Sequence, residues 1–285
     1  EKINHFKIGL RWKKQWETQW DLDSYAFYSF RDFYGKLPFE NGGIIDLFRN
    51  YYGLGTRLTF QETKSKFKHQ WQIGIESNSQ QDQRDRFLNI KGTQGDRVFS
   101  QLERFGNISA SILDELQWEN LLLRTSLRFD YQTLGASTEL ENQEYNVLNP
   151  SIGLSYAIAN KHRLFVNFST SFETPTLSEL SANPSGGEGL NLDLDPSKAI
   201  NYEFGWKTQN SSGYFEATTF YIQSSNEILP YELEEFPGRS FYQNAGATTR
   251  YGLEVAAAYK LKQWGFQGLS LIHISEPTRQ EAISY

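Results

Sequence analysis

Apolar and polar residues alternate one for one along much of this chain. In NYEFGWKTQNSSGYFEATTFYI, Asn201 to Ile222, the residues Tyr202, Phe204 and Trp206 interleave with Asn201, Glu203 and Lys207, and a polar turn near Ser211 leads into a second run. Side chains repeat every two residues on a strand and about every 3.6 on a helix, so the spacing predicts two strands, each apolar on one face. The chain begins in the same way, with Phe6, Ile8, Leu10 and Trp12 set against Lys7, Gly9, Arg11 and Lys13. The period returns in Tyr52, Leu54, Leu58 and Phe60, in Phe67, Trp71, Ile73 and Ile75, and in Leu121, Leu123, Leu127 and Phe129, the last set against Arg124, Ser126, Arg128 and Asp130. It continues through Ile152 to Ile158, Leu164 to Phe168, and Leu253 to Leu261, where Glu254 and Lys260 hold polar positions. About eleven strands are predicted before residue 265, many longer than a globular strand's usual five or six residues.

The connections alternate as well. Tight polar turns are expected near Lys64, Glu119, Lys161 and Ser211, and longer segments at about 35–48, 78–97, 135–146, 174–197 and 229–240. Short turns at one end and long loops at the other are the rhythm of an outer-membrane barrel. The expected fold is therefore all-β: an antiparallel transmembrane β-barrel, here an incomplete barrel with two unpaired edges. Its apolar side chains face lipid, and Arg124, Arg128, Asn201, Glu203, Lys207 and Glu254 face the lumen. A soluble sandwich gives a related alternation and stays open at this point.

Composition sharpens the choice. Aromatic residues make up 15% of the 285, with only 38% hydrophobic and a mean hydropathy of -0.59. No run approaches the roughly 20 apolar residues of a membrane helix, whereas barrel strands, apolar on one face only, escape such averaging. The absence of cysteine rules out disulfides and thiolate metal sites. A net charge of -6, with both signs mixed, argues against a nucleic-acid partner. Glu1 is no initiator and no signal segment follows it, so the chain is read as a piece of a longer protein.

Three phrases carry a family resemblance. SFETPTLSEL, with Phe172, Pro175, Thr176, Glu179 and Leu180, resembles a conserved-type phrase of the C-terminal barrel of TonB-dependent outer-membrane receptors. LDLDPSKAINYEFGWK is similar to a second through Leu194, Pro196, Ser197, Asn201, Tyr202, Glu203, Gly205 and Lys207, with Ser197 standing where the family has an acid. YQNAGATTRYGLEVAAAY resembles a third through Asn244, Gly246, Gly252 and Glu254. The resemblance covers about residues 147–262 and implies an energised transporter of the Gram-negative outer membrane. It further implies an N-terminal plug, absent here, contact with TonB through a missing region, and a scarce solute such as a ferric siderophore. A plug-free passive porin and a soluble carbohydrate-binding or structural β-protein are the alternatives. Pro175, Gly205 and Gly252 read as architectural, ending or bending strands. Glu203 and Glu254 are expected to meet the plug or neighbouring strands.

The end, LSLIHISEPTRQEAISY, resembles a translated sequencing adapter, and strand logic stops near Gln267. Residues 1–268 are therefore assigned to the partial barrel and 269–285 to a non-native tail. Apart from His273 in that tail, His5, His69 and His162 lack metal-ligand spacing, so neither a metal nor a cofactor is expected. Asp193 and Asp195 lack the remaining ligands of a calcium loop, and Gly186, Gly187 and Gly189 lack the context of a phosphate loop. No G-x-S-x-G elbow is present, and no enzymatic role is expected.

Overall fold

The computed structural model describes residues 1–137, 142–159, 161–261 and 264–275. Its strands are β1 (Lys2–Trp16), β2 (Trp20–Lys36), β3 (Ile44–Lys64), β4 (Phe67–Ile90), β5 (Thr93–Trp118), β6 (Leu121–Ala136), β7 (Gln143–Ala159), β8 (His162–Glu173), β9 (Ser197–Asn210), β10 (Gly213–Ser225), β11 (Ile228–Glu232), β12 (Ser240–Asn244), β13 (Thr248–Leu261) and β14 (Trp264–Ser275), with one helical turn, α1 (Leu177–Leu180). Twelve of these strands form one antiparallel sheet in chain order, and β11 pairs with β12 in a separate hairpin. Among the described residues β1 and β14 are the edges, so the sheet is open.

Register sets like against like across the sheet. Leu10 lies opposite Ala26, and Ala26 lies opposite Leu54. Phe204 lies opposite Val166 and Thr219, and Thr219 in turn lies opposite Leu253. This face is not covered: Leu10 is 78% exposed, Leu54 61% and Phe204 52%. Tyr202 and Trp206 are exposed beside Phe204, so no second layer packs on the aromatic face as a soluble sandwich requires. The apolar stretch of β3, Tyr52 through Phe60, is close to the roughly 9–11 residues with which a tilted strand crosses hydrocarbon.

Tight turns gather at one end. Ser65 and Glu119, in two-residue hairpins, and Glu17, in a three-residue one, adopt φ of 50°, 51° and 52°, the left-handed conformation that lets a short hairpin follow the twist of its strands. Aromatic rings collect nearby. Trp20 meets Phe60 at 4.9 Å and Trp71 at 5.4 Å, and Trp206 meets Phe215 at 5.3 Å. Such rings suit a membrane–water boundary because each joins an apolar body to a polarisable or polar edge.

The other end departs from expectation in three places. Residues 78–97 are not a loop: β4 and β5 run through them as strands of 24 and 26 residues, joined tightly at Lys91 and Gly92. The long segment around 229–240 contains the β11–β12 hairpin. The segment after β8 contains α1, whose Thr176 hydroxyl accepts from the Glu179 amide while the Glu179 carboxylate accepts from the Thr176 amide. The runs named from their periodicity lie in β1, β3, β4, β6–β10 and β13. Beyond them β14 pairs with β13 from Trp264 to Ser275, past the stop expected near Gln267. A ladder needs only backbone groups beside an open strand, and it reports pairing rather than origin. The non-native assignment of residues 269–285 remains a proposal, and 276–285 lie outside the described residues.

The dry core lies at the loop end. Leu134 and Ala136 of β6 pack with Leu177, Leu180, Leu190 and Leu194 of the segment between β8 and β9, with Phe105, Tyr145 and Tyr242 around them.

Candidate functional site

Two polar concavities lie on the face opposite the exposed aromatics. The larger, about 770 Å³, is lined by Arg124, Arg163, Asn167, Glu203, Lys207 and Glu254 among others. Strand register brings these together from β6, β8, β9 and β13: Glu203 lies opposite Asn167, and Lys207 opposite Arg163. Arg124 donates to Glu115 at 2.8 Å, and Asn167 donates to Glu203 at 3.0 Å. Gly205 leaves room for the Phe165 ring, since a Cβ there would sit 2.1 Å from it. The Lys207 ammonium lies 5.0 Å from the centre of that same ring.

A second concavity of about 550 Å³ is lined by Arg11, Asp23, Tyr25, Arg57, Glu76 and Arg128 among others. Arg128 donates two bonds of 2.8 Å to Asp130 and reaches Glu76 at 3.4 Å. Asp23 is bound by Arg11 and lies 3.4 Å from Arg57. Five of the six residues expected to face the lumen border these concavities. Arg124, Glu203, Lys207 and Glu254 border one concavity, Arg128 borders the other, and Asn201 lies opposite Ser169 and Ile222.

The phrase residues meet at the loop end. Phe172 approaches the Tyr145 ring at 6.4 Å, Pro175 is fully buried, and Glu179 closes the cap of α1. Asn244 joins two loops: its side-chain oxygen accepts from the Asp195 amide at 2.7 Å, and its amide donates to the carbonyls of Asp195 and Asn226, both at 2.8 Å. One side chain therefore ties the LDLDP phrase to the start of the β11–β12 excursion. Gly246 lies exposed between β12 and β13, and Gly252 sits in β13 opposite Phe220.

Beneath these loops is a buried ionic group that alternation alone does not disclose. Arg84 donates to both Glu103 oxygens at 2.7 and 3.0 Å, and Gln101 donates to Glu103 at 2.9 Å. The loop engages this group through the Gly189 amide, which donates to Gln101 at 3.0 Å, and through Ser178, 3.4 Å from Arg84. Alongside it, burial with Arg239 and Arg84 nearby pulls the Arg86 guanidinium down to about 9, and burial lowers Arg239. The spacing of Asp82, Arg84 and Arg86 at every second residue was the available signal, hidden because polar residues also fill the intervening positions.

An antiparallel wall with an uncovered apolar face, a polar concave face, tight turns at one end and packed loops at the other defines an outer-membrane-type β-barrel. Residues 2–278 match the family model described as TonB dependent receptor-like, beta-barrel, and the chain belongs to that family. It is 23% identical over 142 residues to the TonB-dependent heme receptor A of Haemophilus influenzae, covering 41% of this chain and 19% of that protein. Among solved structures, the alcaligin outer-membrane receptor FauA of Bordetella pertussis superposes with a TM-score of 0.71 at 15% identity, over 96% of this chain and 46% of that one. The copper transporter OprC gives 0.73 at 15% identity, over 96% and 47%. The chain spans under half the length of these relatives, and the structural likenesses define the fold alone.

Proposed function

We propose that this chain forms part of the barrel of a TonB-dependent active transporter in the outer membrane of a Gram-negative bacterium. The observation that carries the reading is the sidedness of the sheet, exposed rings outward and charge inward, within a chain of this family. Membrane lipid covers the outer face, and the six residues expected to face the lumen line it, where a plug from elsewhere in the full-length protein seats against them. The loop end captures the solute, and TonB drives its passage. This is transport and not catalysis.

A ferric siderophore is the first solute class, supported by the neighbour named as an alcaligin receptor. Haem is the second, supported by the curated relative named as a heme receptor. The test is uptake of radioactive iron, supplied as siderophore or as haem, by iron-limited cells with and without the full-length receptor and TonB. The reading predicts uptake that requires both. Receptor-dependent uptake that persists without TonB would instead establish a passive pore.

A further inference from the structure

The outward face of β4 and β5 carries rings and aliphatic chains with one interruption. On β4 His69 stands between Phe67 and Trp71, and on β5 Asp114 stands between Ile112 and Leu116, all in alternation with lumen-side residues. The intervening positions fix the sides: Gln72 and Glu76 border the smaller concavity, and Glu115 pairs with Arg124. Outward Phe67 and Ile112 are exposed. A histidine and an aspartate therefore occupy the face that meets lipid.

The two meet across their strands, where the Asp114 carboxylate accepts from His69 Nε2 at 2.6 Å. Glu62 of β3 lies directly opposite His69, two positions beyond outward Phe60. The Lys64 ammonium approaches one Glu62 oxygen at 2.8 Å. Three adjacent strands thus gather two carboxylates into one patch, with a single lysine beside Glu62 and only an imidazole beside Asp114. Rings border it: Phe67 lies 6.0 Å from His69, Trp71 lies opposite Asp114, and Trp118, opposite Phe67, is exposed.

Depth decides what can cover this patch. Asp114 lies four residues inside Trp118, the last residue of β5 before a tight turn. For a strand tilted near 40° that is about 10 Å further into the membrane, at the inner margin of the aromatic belt, where headgroups meet hydrocarbon. His69 engages one oxygen of Asp114, and the other makes no hydrogen bond among the described residues. A carboxylate oxygen left without a donor where water is scarce is costly. The bilayer holds a donor of matching charge at that depth, the amine of a lipid headgroup.

We propose that Glu62, His69 and Asp114 form a binding site, in the leaflet at the turn end, for a phospholipid whose headgroup carries a primary ammonium. The ammonium donates to Asp114 and Glu62, two charge-assisted hydrogen bonds that a quaternary amine or a hydroxyl headgroup cannot both supply and neutralise. The acyl chains then lie over Ile73 and Ile112, the next outward residues along β4 and β5. The proposal rests on the reading that the outward face meets lipid, and adds that one lipid class is selected there.

The experiment mixes the full-length receptor in detergent with equal amounts of phosphatidylethanolamine, phosphatidylcholine and phosphatidylglycerol of matched chains, and counts the retained lipid by native mass spectrometry. Phosphatidylethanolamine is expected in roughly tenfold excess over each of the others, and Asp114→Asn should bring that excess to about parity. Glu62→Gln should lower it in the same direction and takes the place of Asp114→Asn if that variant fails to fold. Glu119→Gln, whose carboxylate pairs with Lys66 in the turn, should leave the excess unchanged. Equal retention of the three lipids by the unaltered receptor, or an undiminished excess in the folded Asp114 variant, would overturn the site and leave the lipid-facing wall intact. Retention of no phospholipid of any class would overturn the wall reading together with the site.

Discussion

The wall of the sheet and its loop end are built by the same strands, yet they place apolar atoms on opposite sides. Along the wall the greasy residues face outward, as Ile8, Leu54 and Phe204 do, and the inward side carries pairs such as Arg124–Glu115 that stay partly open to water. At the loop end Leu134, Leu180 and Phe241 are at most 1% exposed and form a dry interior, and ionic groups such as Arg84–Glu103 are sealed among them. The difference follows from solvent. Where hydrocarbon surrounds the strands, apolar residues need no protein cover and polar groups retreat inward. Where water surrounds them, burial within protein is the only relief for apolar area. A charge is therefore expendable on the wall's inner face and critical beneath the loops.

Substitutions in the full-length receptor, folded into vesicles and unfolded with urea, can break or sharpen that contrast. Glu103→Ala strands Arg84 and Gln101 in a dry site and should cost about 3–5 kcal/mol. The matched change on the wall, Glu115→Ala, should cost about 0–1 kcal/mol because its arginine remains solvated. Equal losses would erase the distinction. Leu54→Arg places a charge in the outward band and should cost about 2–4 kcal/mol, whereas Thr218→Arg, on the concave face, should change stability little. Asn244→Ala removes three hydrogen bonds that hold two loops together, an expected loss of about 1–3 kcal/mol, read most directly as faster hydrogen exchange at the Asp195 amide. The smallest effect is expected from Thr176→Ala, which uncaps α1 for about 1 kcal/mol and should leave the wall unaltered.

The wall was legible in the sequence because lipid on one side and polar space on the other impose period two on every strand. The signal fades where that asymmetry ends. From Gln80 to Arg86 the chain reads Gln, Gln, Asp, Gln, Arg, Asp, Arg, polar at every position, because both faces have left the hydrocarbon band. A loop was therefore expected where β4 continues. The β11 and β12 strands were missed because each is only 5 residues long and no periodicity accumulates in so short a run. The helical turn did leave a sign, the Thr176 to Glu179 spacing of a capping box inside SFETPTLSEL. The Arg84–Glu103 pair left only the alternate spacing of Asp82, Arg84 and Arg86, since the pairing itself depends on a cross-strand register that no local window contains. The phrases that resemble the family proved more informative about architecture than about ligand: Pro175, Glu179 and Asn244 all fasten loops.

The direction in which the wall's two faces point can be measured on neighbouring residues of one strand. These 285 residues contain no cysteine, so within them Phe204→Cys and Glu203→Cys each add one nitroxide attachment point. In the full-length receptor in vesicles, collision with oxygen dissolved in lipid and with a water-soluble nickel chelate would be compared at the two positions. The account predicts that the label at 204 meets oxygen and is shielded from the chelate, while the label at 203 is not in contact with lipid. A label at 203 that lies in lipid, with the label at 204 sheltered within protein, would contradict it.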